Sequence, residues 1–388
     1  MACFHPNIAQ YRTNAVIKKN GDLGTYVHII YASSKDFRGY EYYLRAHKEI
    51  QERDKDLMEQ QNQEWGYMLI PCGKCLGCAA TYRREWALRI ELECRNYAHN
   101  YFLTLTYDDE HIKIPKSMKN PSTGETHRNN GTWVGTLVKE DVTQFLKSLR
   151  QYFERDFDHE GMKFYYCGEY GEKGQRPHYH LILMNCPEIE LNYIGRNPKT
   201  KDHYYTNKRI ETIWGKGFIT IGEVSWESAS YVTGYVSKKL FGTAKDTVHA
   251  KLGQIPIFAN MSRRPGIGQE YFEEHKDEIY AIDSIVTSKG KSVKPPKYFD
   301  RLMEMDIGES DVMERIKKHR RFVADAVLSE KLQHGQISLE KYLLDKEEIA
   351  IDKQRRYNRD RIKNVTVHNL RINNIFNILP MLAKQIRH

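Results

Sequence analysis

Two imidazoles one residue apart, His178-Tyr179-His180, are the sharpest chemical feature of this chain. On a β-strand successive side chains alternate faces, so His178 and His180 share one side while Tyr179 turns into the opposite layer. Two neutral imidazoles on one face suit a borderline divalent cation; without further support such a pair is simply half-exposed surface. A carboxylate would complete a three-residue site with positions open to water or substrate. Glu169, just across the short loop before the histidines, is the first choice, and Glu172, inside that loop, competes with it.

The second constellation is Tyr231-Val-Thr-Gly-Tyr235-Val-Ser-Lys238. In a helix of about 3.6 residues per turn, the two phenols and the ammonium fall on one stripe while Val232 and Val236 turn elsewhere. Taken alone, the stripe reads as a half-buried helix face. Beside a metal site it gains chemistry: a phenol can attack phosphorus and form a phosphotyrosine, with a nearby cation stabilising the developing charge.

Cys72-Gly-Lys-Cys75-Leu-Gly-Cys78 is the third. Cys-x2-Cys knuckles with glycine in the turn are a structural-zinc pattern, and a closed zinc site wants four ligands. Cys3 is the natural fourth, with His5 the alternative. Cys94, Cys167 and Cys186 fall in predicted helix or strand and read as packing residues. Seven cysteines, an odd number in a long chain, argue for metal and a reducing compartment rather than a disulfide framework.

The elements that must position these groups are legible in outline. Tyr82, Trp86, Ile90 and Cys94 recur every fourth residue, which predicts an amphipathic helix. Tyr101–Tyr107 predicts a strand ended by Asp108-Asp109-Glu110, and Thr25–Tyr31 is strand-like. Val142, Phe145, Leu146, Leu149 and Phe153 mark the buried stripe of a second helix. Two extended runs, 163–168 and 176–184, with a short glycine-containing loop between them, predict a β-hairpin. A strand over Phe218–Val224 leads into a helix from Ser225 to Leu240, stopped by Gly242. Lys48–Glu64 is a charged helix or loop, Lys116–Gly131 a polar loop, and the chain turns helical from Asp300.

Apolar residues make up 40% of the 388 and charged residues 29%, an ordinary globular balance that allows two or three domains. The longest aliphatic run, Leu181-Ile-Leu-Met184, falls far short of the ~20 residues of a membrane span. Met1-Ala-Cys-Phe-His-Pro6 lacks the basic and apolar regions of a signal peptide, so neither secretion nor membrane insertion is expected. Sixty Lys and Arg against 51 Asp and Glu leave +9, a modest excess compatible with a polyanionic partner. The stretch Ile351–His388 carries nine basic and two acidic residues and reads either as a nucleic-acid contact or as a solvated helix. The absence of a G-x-x-x-x-G-K-[ST] sequence argues against a P-loop ATPase.

In order along the chain, Phe102-Leu-Thr-Leu-Thr-Tyr107, Cys167-Gly-Glu-Tyr170, Arg176-Pro-His-Tyr-His180 and Tyr231-x3-Tyr235-x2-Lys238 resemble an HUH endonuclease. More closely, the chain resembles the replication-initiation proteins of gokushovirus-type microviruses. Pro71–Cys78, Leu105–Asp109, Met261–Gly268 and Pro295–Asp300 add to the likeness, which covers roughly residues 70–300 plus Cys3. The resemblance implies a rolling-circle initiator: His178 and His180 as metal ligands with Glu169 the third, Tyr231 and Tyr235 as paired nucleophiles, Lys238 assisting at the phosphate. The middle residue of the histidine motif is Tyr179 rather than an aliphatic; an aromatic still fills the apolar layer.

The expected fold is α+β. An antiparallel sheet bearing the histidines would pack against the tyrosine helix in residues 95–245, flanked by a zinc-knuckle region, 1–94, and a largely helical basic region, 246–388. Expected cofactors are Mg²⁺ or Mn²⁺ at the nuclease site and structural Zn²⁺. The expected partners are origin DNA, a host helicase and a host DNA polymerase, in the host bacterial cytoplasm. Two rival readings are a non-enzymatic zinc-containing nucleic-acid-binding protein and a metal-dependent nuclease that uses water.

Overall fold

A computed structural model describes residues 3–4, 6–12, 16–17, 23–24, 27–30, 65–73, 75–114, 135–171, 176–196, 202–240, 253–306, 310–337, 339, 341–353 and 355–356. His5, Glu172, Gly242, the stretches Lys48–Glu64 and Lys116–Gly131, and the tail beyond 356 lie outside the described residues. The chain divides into two compact units, Met1–Cys78 with Val327–His388, and Ala79–Ala326.

In the first unit, β1 (Asn7–Arg12) is the centre of a three-stranded antiparallel sheet. A ribbon of β2 (Val16–Ile17) and β3 (Leu23–Gly24) follows. The flanking strands of the sheet are β4 (Val27–Ile30), inside the predicted strand-like stretch, and β5 (Trp65–Ile70). The register Asn7↔Ile70 has a direct consequence. Antiparallel pairing brings the chain just before β1 beside the chain just after β5, so Cys3 meets the cysteine cluster across 69 residues of sequence.

The second unit is α+β and is built on one seven-stranded antiparallel sheet. It comprises α1 (Leu76–Arg95), β6 (Tyr101–Tyr107), α2 (Lys139–Phe157), β7 (Lys163–Tyr170), β8 (Pro177–Met184), β9 (Asn192–Arg196), β10 (His203–Thr206), α3 (Lys208–Trp214), β11 (Gly217–Glu223), α4 (Trp226–Leu240), β12 (Phe258–Met261), α5 (Gln269–Ile282), β13 (Ile285–Val286), β14 (Ser292–Val293), α6 (Lys297–Met305) and α7 (Ser310–Gly335). The strand order is β12-β7-β8-β6-β11-β10-β9. The short strands β13 and β14 pair with each other.

Two-residue alternation gives the sheet two different faces. Leu103, Leu105, Tyr179, Leu181, Ile219 and Ile221 point into a first core with α2 and α3. The five α2 positions of the predicted stripe, Val142, Phe145, Leu146, Leu149 and Phe153, are all buried there. Tyr165, Cys167, Ile182 and Met184 point the other way, against Ala87 and Ile90 of α1 and Ala229 and Val232 of α4. Each large apolar side chain so buried contributes roughly 1.5–3 kcal/mol relative to exposure. A third core joins Leu88 and Leu92, on the far side of α1, to Phe272, Ile279, Phe299, Met303 and Met313.

Polar groups fix the joints. Lys163 donates to Glu93 at 2.5 Å and to Glu270 at 2.7 Å, tying β7 to α1 and α5, and Tyr97 closes the network by donating to Glu270. At the head of α4, Ser225 and Ser228 form a reciprocal capping box: Ser228 N–H donates to Ser225 Oγ at 3.1 Å, and Ser225 N–H to Ser228 Oγ at 2.7 Å. This satisfies amide donors that a helix start leaves open and sets the phase of the α4 positions that follow. Among the described residues no helix is long and apolar enough to cross a membrane.

Candidate metal centre and adjoining tyrosine

The face of β8 that carries Ile182 and Met184 also carries His180 and His178, two and four residues earlier. Across the hairpin the register is Glu169↔His178 and Cys167↔His180, so the carboxylate sits directly opposite one imidazole and diagonal to the other. Glu169 Oε1 lies 2.7 Å from His178 Nε2 and 2.9 Å from His180 Nε2. Glu169 and His180 are buried and His178 is partly open. Burial works to raise the Glu169 carboxyl, but hydrogen bonds from the two imidazoles outweigh it and hold the group below its ordinary range. Burial lowers His180, against the pull of Glu169.

The far nitrogens of both rings are held by partners of their own. His178 Nδ1 faces the Arg176 carbonyl at 3.1 Å, and His180 Nδ1 faces Thr104 Oγ1 at 3.0 Å. A carbonyl only accepts, so His178 Nδ1 carries the hydrogen and Nε2 aims a lone pair at the Glu169 oxygen. Two acceptors at that distance need a cation between them, either a proton or a metal ion. Cis donors about 2.1 Å from an octahedral cation are about 3.0 Å apart, close to the spacings found here. The donor set fits a divalent ion, with orienting hydrogen bonds in place on each histidine.

Tyr231 adjoins the triad. Its ring meets the His180 ring edge-on at a centroid distance of 5.2 Å, while Phe102 stacks on His180 from another side at 5.8 Å. Tyr231 is 41% exposed, so solvent and substrate can reach it, whereas Val232 beside it is fully buried and anchors α4. Tyr235 and Lys238 continue α4, and their side chains lie outside the described residues. Tyr179 points away from the triad, as strand alternation requires. Its Oη accepts from Val138 N–H at 2.7 Å and lies 3.0 Å from Tyr107 Oη, which donates to Asp141 at 2.7 Å.

In the first unit Cys3, Cys72, Cys75 and Cys78 converge, with all four Sγ atoms within 4.8 Å of one another. Cys3 and Cys75 are 3.8 Å apart, and Cys72 and Cys78 4.0 Å. A tetrahedron with metal–sulfur bonds of ~2.3 Å has edges of ~3.8 Å, so the four thiols fit one zinc ion. The hydrogen bond from Cys3, opposed by burial and helped by the Phe4 N–H, lowers the Cys75 thiol to about 4. Burial pushes Cys78 up to about 11, and the contact with Cys75 raises Cys3. Four crowded thiols ionise together only around a cation.

The positions of Glu169, His178, His180, Tyr231 and the four cysteines all follow from patterns visible in the sequence. The orienting roles of Thr104 and the Arg176 carbonyl do not. Thr104 shares the triad's face by alternation, but its pairing with His180 depends on β6 lying next to β8, a non-local fact.

The family model for the replication-associated protein ORF2 matches residues 100–240. Replication-associated protein ORF2 of Spiroplasma virus 4 is 38% identical over 282 residues, 72% of this chain and 81% of the relative. Replication-associated protein VP4 of Bdellovibrio phage phiMH2K is 30% identical over 244 residues, 61% of this chain and 68% of the relative. Replication-associated protein ORF4 of Chlamydia phage 1 is 26% identical over 245 residues, 62% and 55% of the two chains. No solved structure matches.

Proposed function

The chain belongs to the replication-associated protein family of the microviruses, and from that premise we propose that it is a rolling-circle initiator of the HUH type, which opens origin DNA by tyrosine transesterification. The observation that carries the reading is the accessible phenol of Tyr231 set against His180, inside a cluster of two imidazoles and one carboxylate.

Glu169, His178 and His180 would hold a Mg²⁺ or Mn²⁺ ion. When bound, such an ion polarises a phosphodiester oxygen and offsets charge developing at phosphorus. Thr104 and the Arg176 carbonyl keep both rings turned toward the site. Tyr231 or Tyr235 forms the Oη–P bond as the P–O3′ bond breaks. The phenolic proton ends on the departing 3′ oxygen, and the products are a 5′-phosphotyrosyl link and a 3′-hydroxyl that a host polymerase can extend. Lys238, seven residues after Tyr231 on the same helix, would stabilise the phenolate, which is scarce at neutral pH with an ordinary pKa of about 10. The second tyrosine would serve the later step that rejoins the displaced strand. Duplex opening would fall to a host helicase in the bacterial cytoplasm, and the four cysteines would hold a structural zinc ion.

The test is nicking of single-stranded phage-origin DNA by wild-type protein and by His178→Ala and His180→Ala. Loss of nicking in both variants, with folding retained, is expected. Normal nicking in the double variant would remove the metal from the reaction. Binding with no nicking by the wild type would favour a non-enzymatic nucleic-acid-binding role.

A further inference from the structure

Phe218 is 65% exposed in the middle of the second unit's sheet, where an outward position ordinarily carries a polar side chain. On β11, Ile219 and Ile221 turn into the first core, so Phe218 and Thr220 lie on the opposite face. That face is the triad's: a Cβ at Gly222, two residues on from Thr220, would touch Phe102, which itself stacks on His180. The register then locates Phe218 relative to the site. It pairs with Thr106, Thr106 pairs with His178, and His178 pairs with Glu169. One cross-strand row therefore runs Glu169, His178, Thr106, Phe218. The adjoining row runs His180, Thr104, Thr220.

Solitary exposed aromatics are common and need no explanation. Placement distinguishes this one. Phe218 stands two strand spacings, roughly 10 Å, from His178, and hydroxyl-bearing residues occupy the sheet between them. Ala229 and Val232 of α4 pack on the β7–β8 side of this face, which sets Tyr231 at one flank of the triad. A strand with one phosphate between triad and phenol can continue across β6 and β11, where threonine hydroxyls meet its sugar–phosphate backbone and a ring face meets a base. Such a ring reaches a base only when the base is unstacked, which selects single strands over duplex.

We propose that Phe218 is a stacking platform for a base of single-stranded DNA, within a few nucleotides of the phosphate held at the Glu169–His178–His180 site; this rests on the nuclease reading of that site. The test uses the full chain, a random-sequence pool of single-stranded oligonucleotides, and heparin as a polyanion without bases. Phe218→Ala should weaken oligonucleotide binding roughly tenfold, the scale of one lost base–aromatic stack, and Phe218→Trp should retain it. The fluorescence added by Phe218→Trp, taken as the difference from the wild type with its five tryptophans, should be quenched by oligonucleotide and not by heparin. Binding by Phe218→Ala within twofold of wild type, or equal quenching by heparin, would overturn the proposal. Adduct formation by the wild type is measured in parallel. An adduct with unchanged Phe218→Ala binding sinks the stacking subsite alone. Weakened Phe218→Ala binding with no wild-type adduct sinks the nuclease reading and leaves Phe218 as a single-strand contact.

Discussion

Glu169 and His178 face each other directly across the β7–β8 hairpin, with Oε1 2.7 Å from Nε2. His180 reaches the same carboxylate oxygen from two residues further along β8, at 2.9 Å. Three ligand-type side chains thus converge on one point from two paired strands, without any contribution from a loop. A site on strands is held by the backbone ladder and by the cores beneath it, so removing its side chains should cost chemistry before it costs fold.

Metal affinity is the first expectation. Glu169→Gln, His178→Ala and His180→Ala should each lower Mn²⁺ affinity measured by titration calorimetry, while the circular dichroism spectrum is unchanged. Thr104→Val, which removes only the partner of His180 Nδ1, should weaken affinity by about 10- to 100-fold, and Thr104→Ser should restore most of it. Equal affinities for Thr104→Val and wild type would show that the hydroxyl does not orient the ring.

The cysteine cluster gives the second. Protein purified without chelator should contain one equivalent of zinc by elemental analysis, and Cys75→Ser or Cys3→Ser should lose it with a lower melting temperature. Zinc retained at full stoichiometry in Cys3→Ser would place the fourth ligand elsewhere, with His5 the first to examine by His5→Ala.

Lys163 carries the third. It is buried between Glu93 and Glu270, so Lys163→Met leaves an uncompensated buried carboxylate and should destabilise the protein by about 3–5 kcal/mol. Burial works to raise Glu270, but the hydrogen bonds from Lys163 and Tyr97 hold it below its ordinary value of 4.5. Its contribution is therefore complete above that ordinary value and lost as pH falls through the lower folded-state value. Denaturant melts of wild type should weaken below about pH 4.5, and Lys163→Met should show a smaller decline over the same range. Identical pH profiles would contradict the assignment.

Tyr179 gives the fourth. Tyr179→Phe removes the Oη that accepts from Val138 N–H in the first core and should cost about 1–3 kcal/mol in a denaturant melt. Because the ring stays, metal affinity should change little. A large loss of affinity with unchanged stability would mean that the hydroxyl acts on the site rather than on the core.

Much of this arrangement was legible because it is local. Alternation along one strand places His178 and His180 together and sends Tyr179 away, and a short hairpin loop brings Glu169 across. The α1 and α2 stripes were visible for the same reason, since their apolar residues keep helical spacing over four turns or more. What the sequence hid is non-local or weakly patterned. The pairing of Thr104 with His180, and of Phe218 with Thr106, depends on β6 and β11 being neighbours of β8 and of each other. Strand β12 reads Phe-Ala-Asn-Met, with no alternation to betray it, and β9 and β10 are short and polar. In α5, the buried Phe272, Ile279 and Tyr280 do keep helical spacing, but seven residues separate the first two and charged side chains dominate the interval.

The alternating-nucleophile claim at the centre of the account is tested most directly by mapping the covalent adduct. Wild-type protein is incubated with single-stranded phage-origin DNA and Mn²⁺, denatured and digested, and the DNA-bearing peptide is identified by mass spectrometry. The account predicts attachment at Tyr231 or Tyr235, partial nicking with impaired strand joining in Tyr231→Phe and in Tyr235→Phe, and no adduct in the double variant. Attachment at any other tyrosine, cleavage without an adduct, or full joining activity in either single variant would contradict it.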